Sequence, residues 1–301
     1  IQSFVMTIGN NLNFIDLFAG AGGLSLGLEQ SGFKPLFVNE LNEDAMETYL
    51  MNRRLKYDYL DEKDFHEYDI KKILENGYLD NLIGKIKSIH GVDCRKGELD
   101  LIVGGPPCQG FSNIGHRRSY AVSRDRLPSN FLFQDMIHII DKLQPKIFLF
   151  ENVRGLKNTY LTKNSKMNAY NQIFQEFNDL ENYHVETDMI YGKDYGAPQN
   201  RPRIFIIGMR KDLNIESKQI SNLKANGFLP DPTNNYPHLK ELLDDLIDVN
   251  YKNGGETIRY PTPALSKYQK LMRIDPKSGV TFRKGGILTE HKYTNHSPKI
   301  I

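Results

Sequence analysis

Short apolar segments that end at a glycine, an asparagine or an acidic residue recur along the chain, and residues patterned for a helix follow them. Phe14-Ile15-Asp16-Leu17-Phe18 runs into Ala19-Gly20-Ala21-Gly22-Gly23, and Leu24, Leu26 and Leu28 then carry a helix that stops near Gly32. Pro35 to Asn39 repeats the pattern, with a helix opening at Asn42, where Glu43 and Asp44 suit the positive end of a helix. Leu99 to Val103, Lys146 to Phe150 and Arg203 to Ile207 read as further strands, while Phe131 to Leu143 and Met167 to Leu180 carry apolar residues at helical spacing. Strands alternating with helices predict an α/β fold, a doubly wound and mostly parallel sheet. Ligands of such sheets bind beyond the carboxyl ends of the strands, so function is to be sought in the residues that directly follow each strand.

Beyond Met209, Lys, Asn, Asp and Pro become frequent and strand signals fade. This predicts a catalytic and cofactor-binding domain over residues 1–210 and a smaller C-terminal region over 211–301. No apolar run reaches the ~20 residues of a membrane span, and Ile1-Gln2-Ser3-Phe4-Val5-Met6 lacks the basic region and apolar core of a signal peptide. With two cysteines, Cys94 and Cys108, the chain has neither a disulfide framework nor a Cys-x-x-Cys metal pair. A reducing cytoplasm is expected. His291 and His296 have no neighbouring ligands, and no metal is expected. A net charge of +2 does not mark a nucleic-acid binder, but its distribution is uneven. Arg117, Arg118, Arg124 and Arg126 stand against Asp125 alone, and Lys193, Arg201, Arg203, Arg210 and Lys211 form a second group. Taken as charge only, both read as solvated faces.

Four segments carry chemistry. In Asp16-Leu17-Phe18-Ala19-Gly20-Ala21-Gly22-Gly23, glycines at a strand-to-helix turn let backbone approach a ligand. Ser25 leaves the dinucleotide fingerprint incomplete. Glu40, closing the next strand, offers a carboxylate to both hydroxyls of a ribose, an arrangement for a nucleoside cofactor without a pyrophosphate cradle. Gly104-Gly105-Pro106-Pro107-Cys108-Gln109-Gly110-Phe111-Ser112 follows the third strand, and its rigid frame sets a thiol at the sheet edge. A lone cysteine is ordinarily a small buried hydrophobe, which is how Cys94 reads; packing alone gives no reason for the frame around Cys108. Glu151-Asn152-Val153 ends the fourth strand, and Tyr195 to Arg203, containing Gln199-Asn200-Arg201-Pro202-Arg203, leads into the fifth with arginines suited to phosphate or a base oxygen.

Together and in this order, the four segments resemble the DNA (cytosine-5)-methyltransferases of bacterial restriction–modification systems, over roughly residues 13–210. The resemblance implies a Rossmann-like fold of the S-adenosylmethionine-dependent methyltransferase type. It also implies a cofactor site formed by Phe18, Ala19, Gly20, Gly22, Gly23, Glu40, Leu41, Pro106 and Leu132. Asp69 and Ile70, in Tyr68-Asp69-Ile70, match the segment that contacts adenine in the family. Cys108, Glu151, Arg201 and Arg203 match its catalytic residues, and Gln109, Ser112, Arg117, Arg118, Arg124, Arg126 and Gln199 fall where it meets DNA.

The implied reaction uses S-adenosyl-L-methionine, leaves S-adenosyl-L-homocysteine and needs no metal. Cytosine C5 is too weak a nucleophile unaided, and addition of the Cys108 thiolate at C6 makes it electron-rich. Protonated Glu151 meets N3 and Arg203 meets O2, where charge develops. The base must leave the duplex for any of these groups to reach it, and the arginines of 109–126 then contact phosphates. Duplex DNA and a cognate restriction endonuclease are the implied partners. The same chemistry on transfer RNA and a non-catalytic DNA-binding homologue are the alternatives. Family members continue past Gln-Asn-Arg into a target-recognition region and return through an Arg-Glu-x-Ala-Arg-x-Gln-like motif and a Gly-Asn-x-Val-like motif. Neither stands in 211–301. Gly9-Asn10-Asn11-Leu12 resembles the second but abuts the first strand and reads as coincidence. Residues 211–301 are therefore expected to lead into a recognition region completed by further chain or by a second polypeptide, with an incomplete relic as the remaining alternative.

Overall fold

β1 (Leu12–Leu17) is buried along almost its whole length, as a central strand covered on both faces must be. In the computed structural model, which describes residues 12–107, 128–162, 164–213, 232–233, 235–275 and 278–295, it is one of seven strands in a single sheet. The others are β2 (Phe33–Asn39), β3 (His66–Glu67), β4 (Leu101–Gly104), β5 (Ile147–Val153), β6 (Tyr183–Tyr191) and β7 (Pro202–Arg210). Their spatial order is β3-β2-β1-β4-β5-β7-β6. The pairs β1/β2, β1/β4, β2/β3 and β4/β5 are parallel, and β5/β7 is antiparallel. The expected mostly parallel α/β sheet is the one observed.

The chain moves outward from β1 through β2 to β3, then returns to place β4 on the other side of β1. That reversal opens a crevice at the carboxyl ends of β1 and β4. Register brings the edges level: Leu17 pairs with Gly104, and Gly104 pairs with Phe150. The glycine loop and the Pro-Pro turn thus leave the sheet side by side, next to Glu151 near the carboxyl end of β5.

Helices cover the faces for readable reasons. α1 (Gly23–Gln30) follows the glycine loop, and α2 (Glu43–Met51) is capped by Asn42, whose side chain accepts from Ala45 N at 2.9 Å. α3 (Ile70–Ile73) and α4 (Tyr78–His90) follow β3; α4 buries Leu82, Ile83 and Ile86. In α5 (Leu132–Leu143), Phe133, Met136, Ile139, Ile140 and Leu143 form the buried stripe. α6 (Ala169–Asn178) stacks Phe177 on Phe148 of β5, with ring centroids 5.3 Å apart.

Contacts divide the chain into residues 1–190 with 202–231, and 191–201 with 232–301. Among its described residues the second unit holds two short α-helices, α7 (Leu239–Leu243) and α8 (Lys267–Met272), and bridges such as Glu256 to Lys292. At its centre Arg273 donates from Nε and Nη2 to Asp245 Oδ2 at 2.9 and 2.7 Å, and from Nη2 to the Thr262 carbonyl at 2.8 Å. Its guanidinium lies 3.9 Å from the Tyr260 ring centroid. No helix among the described residues is long and apolar enough to cross a membrane.

Candidate active site

The loop after β1 is built by Asn39 and Glu40. Asn39, 1 % exposed at the end of β2, accepts the Phe18 N–H at 3.4 Å and gives its amide hydrogens to the carbonyls of Glu67 (2.8 Å) and Tyr68 (3.0 Å). One buried amide therefore ties the glycine loop to the segment that carries Asp69. Ala19 N donates to the Asn39 carbonyl at 2.9 Å, and Phe18 takes φ +58° to make the turn. Glu40 Oε2 accepts Gly20 N–H and Oε1 accepts Asn42 N–H, each at 2.8 Å. Each oxygen retains a second lone pair, so the fixed carboxylate still suits two ribose hydroxyls.

Around it the residues fit a nucleoside-bearing cofactor. Leu41 is 71 % exposed, a large apolar side chain next to an anchored carboxylate. Phe18 and Leu132 are partly buried against the core, and Ile70 is buried. Asp69 caps α3 by accepting Lys71 N–H at 2.9 Å. Lys71 Nζ reaches Asp135 Oδ1 at 2.7 Å, which joins α3 to the first turn of α5 and so links the segments holding Ile70 and Leu132.

Beneath the loop lies a buried polar cluster. Ser25 Oγ bonds to Asp16 Oδ2, and lies 2.9 Å from Tyr49 Oη. Burial pushes the Asp16 carboxyl up to about 7, against the opposing pull of Ser25 and Arg53; burial likewise raises the Tyr49 hydroxyl above its ordinary range.

On the other side of the crevice, β5 extends through Glu151, Asn152 and Val153, three residues beyond the apolar run. Successive side chains alternate across a strand. Asn152, 3 % exposed, donates Nδ2–H to the Pro106 carbonyl at 3.1 Å and so pins the Pro-Pro turn to β5. Glu151 Oε1 receives Arg203 Nε at 2.6 Å, β7 being the antiparallel neighbour that supplies the arginine. Glu151 Oε2 stands so near Gly105 that a β-carbon there would be 3.0 Å away; the glycine leaves room for the carboxylate.

Of the residues singled out in the sequence, Phe18 to Gly23, Glu40, Leu41, Pro106, Glu151 and Arg203 leave the carboxyl edges of β1, β2, β4, β5 and the start of β7. Asp69 and Ile70 follow β3, and Leu132 opens α5. Gln199 and Arg201 are exposed residues of the second unit. Gln199 lines an open groove of about 530 Å³ with Lys193, Tyr236, His238 and Lys240. Cys108, Gln109, Ser112, Arg117, Arg118, Arg124 and Arg126 lie outside the described residues, as do Gly9, Asn10 and His296. Cys94 is buried, its thiol pushed up to about 11 by burial, which keeps it protonated and inert. Asn39, Asn152 and the Asp16–Ser25–Tyr49 cluster escape the sequence reading. The signal for the first two was a polar amide directly at a strand end.

The model of C-5 cytosine-specific DNA methylases matches residues 12–297, nearly the whole chain. The chain belongs to that family. Type II methyltransferase M.DdeI of Desulfomicrobium norvegicum is 31 % identical over 266 residues, covering 87 % of this chain and 55 % of the relative. M.FnuDI of Fusobacterium nucleatum is 34 % identical over 206 residues, 68 % of this chain and 49 % of the relative. M.BsuFI of Bacillus subtilis is 37 % identical over 207 residues, with coverages of 69 % and 41 %. The chain spans about half the length of the curated relatives it matches. Among solved structures, a protein titled as a DNA modification methyltransferase encoded within an Escherichia coli prophage superposes with a TM-score of 0.55 at 28 % identity, over 86 % of this chain and 64 % of that one.

Proposed function

We propose that this chain carries the chemical centre of an enzyme that methylates C5 of a flipped-out cytosine in duplex DNA. The observation that supports it most is the Glu151–Arg203 pair, 2.6 Å apart on adjacent strands, beside the Gly105-Pro106-Pro107 turn that leads to Cys108. S-adenosylmethionine, when bound over the loop of Phe18 to Gly23 and on Glu40, supplies an electrophilic methyl group. Cys108 thiolate adds to C6 of the base, forming the S–C6 bond while the π pair of the C5–C6 double bond moves onto C5 and is shared through C4 with N3. Glu151, protonated, gives its proton or a hydrogen bond to N3, and Arg203 donates to O2, so that the charge pushed onto the ring has partners. Once C5 carries the methyl group, its proton passes to a solvent-derived base, the C–H electron pair re-forms the C5–C6 double bond, and the S–C6 pair leaves with Cys108 as thiolate. The base has to leave the stack for this geometry, at a cost of a few kcal/mol; Arg201 is assigned to the catalytic group with Arg203, and Gln199 and the arginines at 117, 118, 124 and 126 to holding the strand.

A second polypeptide or further chain would supply target recognition, with residues 211–301 leading into it. The relatives named as Type II methyltransferases support a cognate restriction endonuclease as partner and a bacterial cytoplasmic setting on DNA. The test is adduct formation with DNA containing 5-fluorocytosine, from which C5 cannot lose fluorine as it loses a proton. The complete enzyme should form a stable covalent complex, and Cys108→Ser should form none while still binding S-adenosylhomocysteine. An undiminished adduct in that variant removes Cys108 from the mechanism. A parallel arm with transfer RNA that is methylated in preference to DNA overturns the choice of substrate.

A further inference from the structure

We infer that Arg53 is a positioning residue that sets the glycine loop in its ligand-binding shape; the inference rests on reading that loop as the S-adenosylmethionine site. Arg53 lies just past α2, and its side chain is 4 % exposed. Its guanidinium reaches three different elements. Nε donates to Glu29 Oε1 on α1 at 2.6 Å, Nη1 to the Tyr49 carbonyl on α2 at 3.2 Å, and Nη2 to the Gly22 carbonyl at 3.0 Å. The plane lies over the Tyr49 ring, 3.8 Å from its centroid.

Gly22 is seated directly on this platform. Its φ is +88°, and a β-carbon there would lie 2.5 Å from Arg53 Nη1 and 2.7 Å from Tyr49 Cδ2. The glycine is thus required from below, by the guanidinium, as well as by its backbone conformation. The Gly22 carbonyl also accepts Leu26 N–H at 3.0 Å, so it points along α1 into the protein. The trans peptide then directs the Gly23 N–H the opposite way, out of the open end of α1. Anchoring one carbonyl fixes the amide that faces the ligand side.

Charge alone would not need an arginine here. A lysine could pair with Glu29, but a point charge cannot hold Glu29, the Tyr49 carbonyl and the Gly22 carbonyl at once. Tyr49 is locked from the other side through Ser25 and Asp16, so the platform is stiff where it touches the loop.

The experiment is calorimetric titration of the full-length enzyme with S-adenosylhomocysteine, alongside steady-state methylation of DNA. Arg53→Met should weaken binding about 10- to 100-fold, as expected when a charge-assisted hydrogen bond is lost, and should raise KM for S-adenosylmethionine by a similar factor. The kcat at saturating cofactor and the affinity for DNA should stay within about 3-fold. Glu29→Gln, which leaves Arg53 on Gly22, should change cofactor affinity far less than Arg53→Lys, which leaves Glu29 paired. If Arg53→Met does not fold, Arg53→Lys against Glu29→Gln decides the matter, because a merely structural role predicts equal effects. Tyr183→Phe, which loses a buried hydrogen bond of 2.8 Å to the Pro145 carbonyl, gauges what a comparable loss of stability does to binding. A folded Arg53 variant that binds within 2-fold of the parent overturns the inference. A parent enzyme that binds no S-adenosylhomocysteine overturns instead the reading of the loop on which it rests.

Discussion

Asp16 is the buried acid near the end of β1, hydrogen-bonded to Ser25 of α1 beneath the glycine loop. Burial holds its carboxyl at about 7, well above the 3.8 of an exposed aspartate. Between those two values the folded chain keeps a proton that the unfolded chain gives up. Its share of stability is therefore whole below about pH 4 and is lost as pH rises through about 7. Asp16→Asn keeps a hydrogen-bonding side chain without the ionisation. Relative to the parent, the variant should gain stability from pH 5 to 8, by at most about 4 kcal/mol at roughly 1.4 kcal/mol per pKa unit. Urea unfolding at several pH values reads this directly, and parallel curves for the two proteins would show that Asp16 does not titrate in that window. At this scale the sequence reveals contiguous motifs and conceals partnerships. Glu40, Glu151 and Gly105 stand inside readable strings, whereas Arg53 reads as one more surface cation beside Arg54. Only the fold brings it under Gly22, 31 residues earlier.

β5 shows why elements are harder to delimit than to detect. The apolar run stops at Phe150, but the strand goes on because β7 pairs with it through Glu151↔Phe205, Asn152↔Ile204 and Val153↔Arg203. The polar residues of that extension face two ways, one to the Pro106 carbonyl and one to Arg203. Asn152→Ala should free the Pro-Pro turn from its strand. We expect ~1–2 kcal/mol less stability, the loss of a buried hydrogen bond, and a fall of about ten-fold or more in the rate of adduct formation with 5-fluorocytosine DNA. Affinity for S-adenosylhomocysteine should fall less than the adduct rate, since Pro106 is one residue of a cofactor site otherwise carried by the loop after β1, by Glu40 and by α5. An adduct rate equal to that of the parent would mean that the turn holds its shape without Asn152. Among the elements that escape a reading by pattern are α4 and β6. α4 had its signal in Leu79, Leu82, Ile83 and Ile86 at helical spacing. β6 lacked one: His184, Glu186 and Asp188 interrupt it, as charges do on an edge strand that must not pair further.

At the scale of the whole molecule the two units are held by different physics. The first has a continuous apolar core from Ile15 to Ile206. In the second, the buried side chains among the described residues are Pro237, Asp245, Thr257, Gln269 and Arg273. A buried ion pair contributes little net stability when intact, yet removing one partner strands the other charge, typically at ~3–5 kcal/mol. Asp245→Ala should therefore unfold the second unit selectively. Hydrogen exchange at Thr257 and Tyr260 should accelerate while Ile102 and Phe148 keep their protection; equal loss in both units would mean that they unfold as one. The fading of apolar pattern past Met209 was legible in the sequence, but the ionic centre that replaces it was not, since nothing local joins Asp245 to Arg273.

A guanidinium and a carboxylate at the centre also set how the second unit responds to temperature. Newly hydrated hydrocarbon raises heat capacity on unfolding, and newly hydrated polar surface lowers it. The first unit, with its phenylalanines and isoleucines, must carry most of the increment. For the second the polar contribution offsets a larger part of the apolar one, so its free energy of unfolding should curve less with temperature. Cooling, which weakens apolar cores below their optimum, weakens such a unit less, and warming melts it over a broad range with a smaller change in baseline.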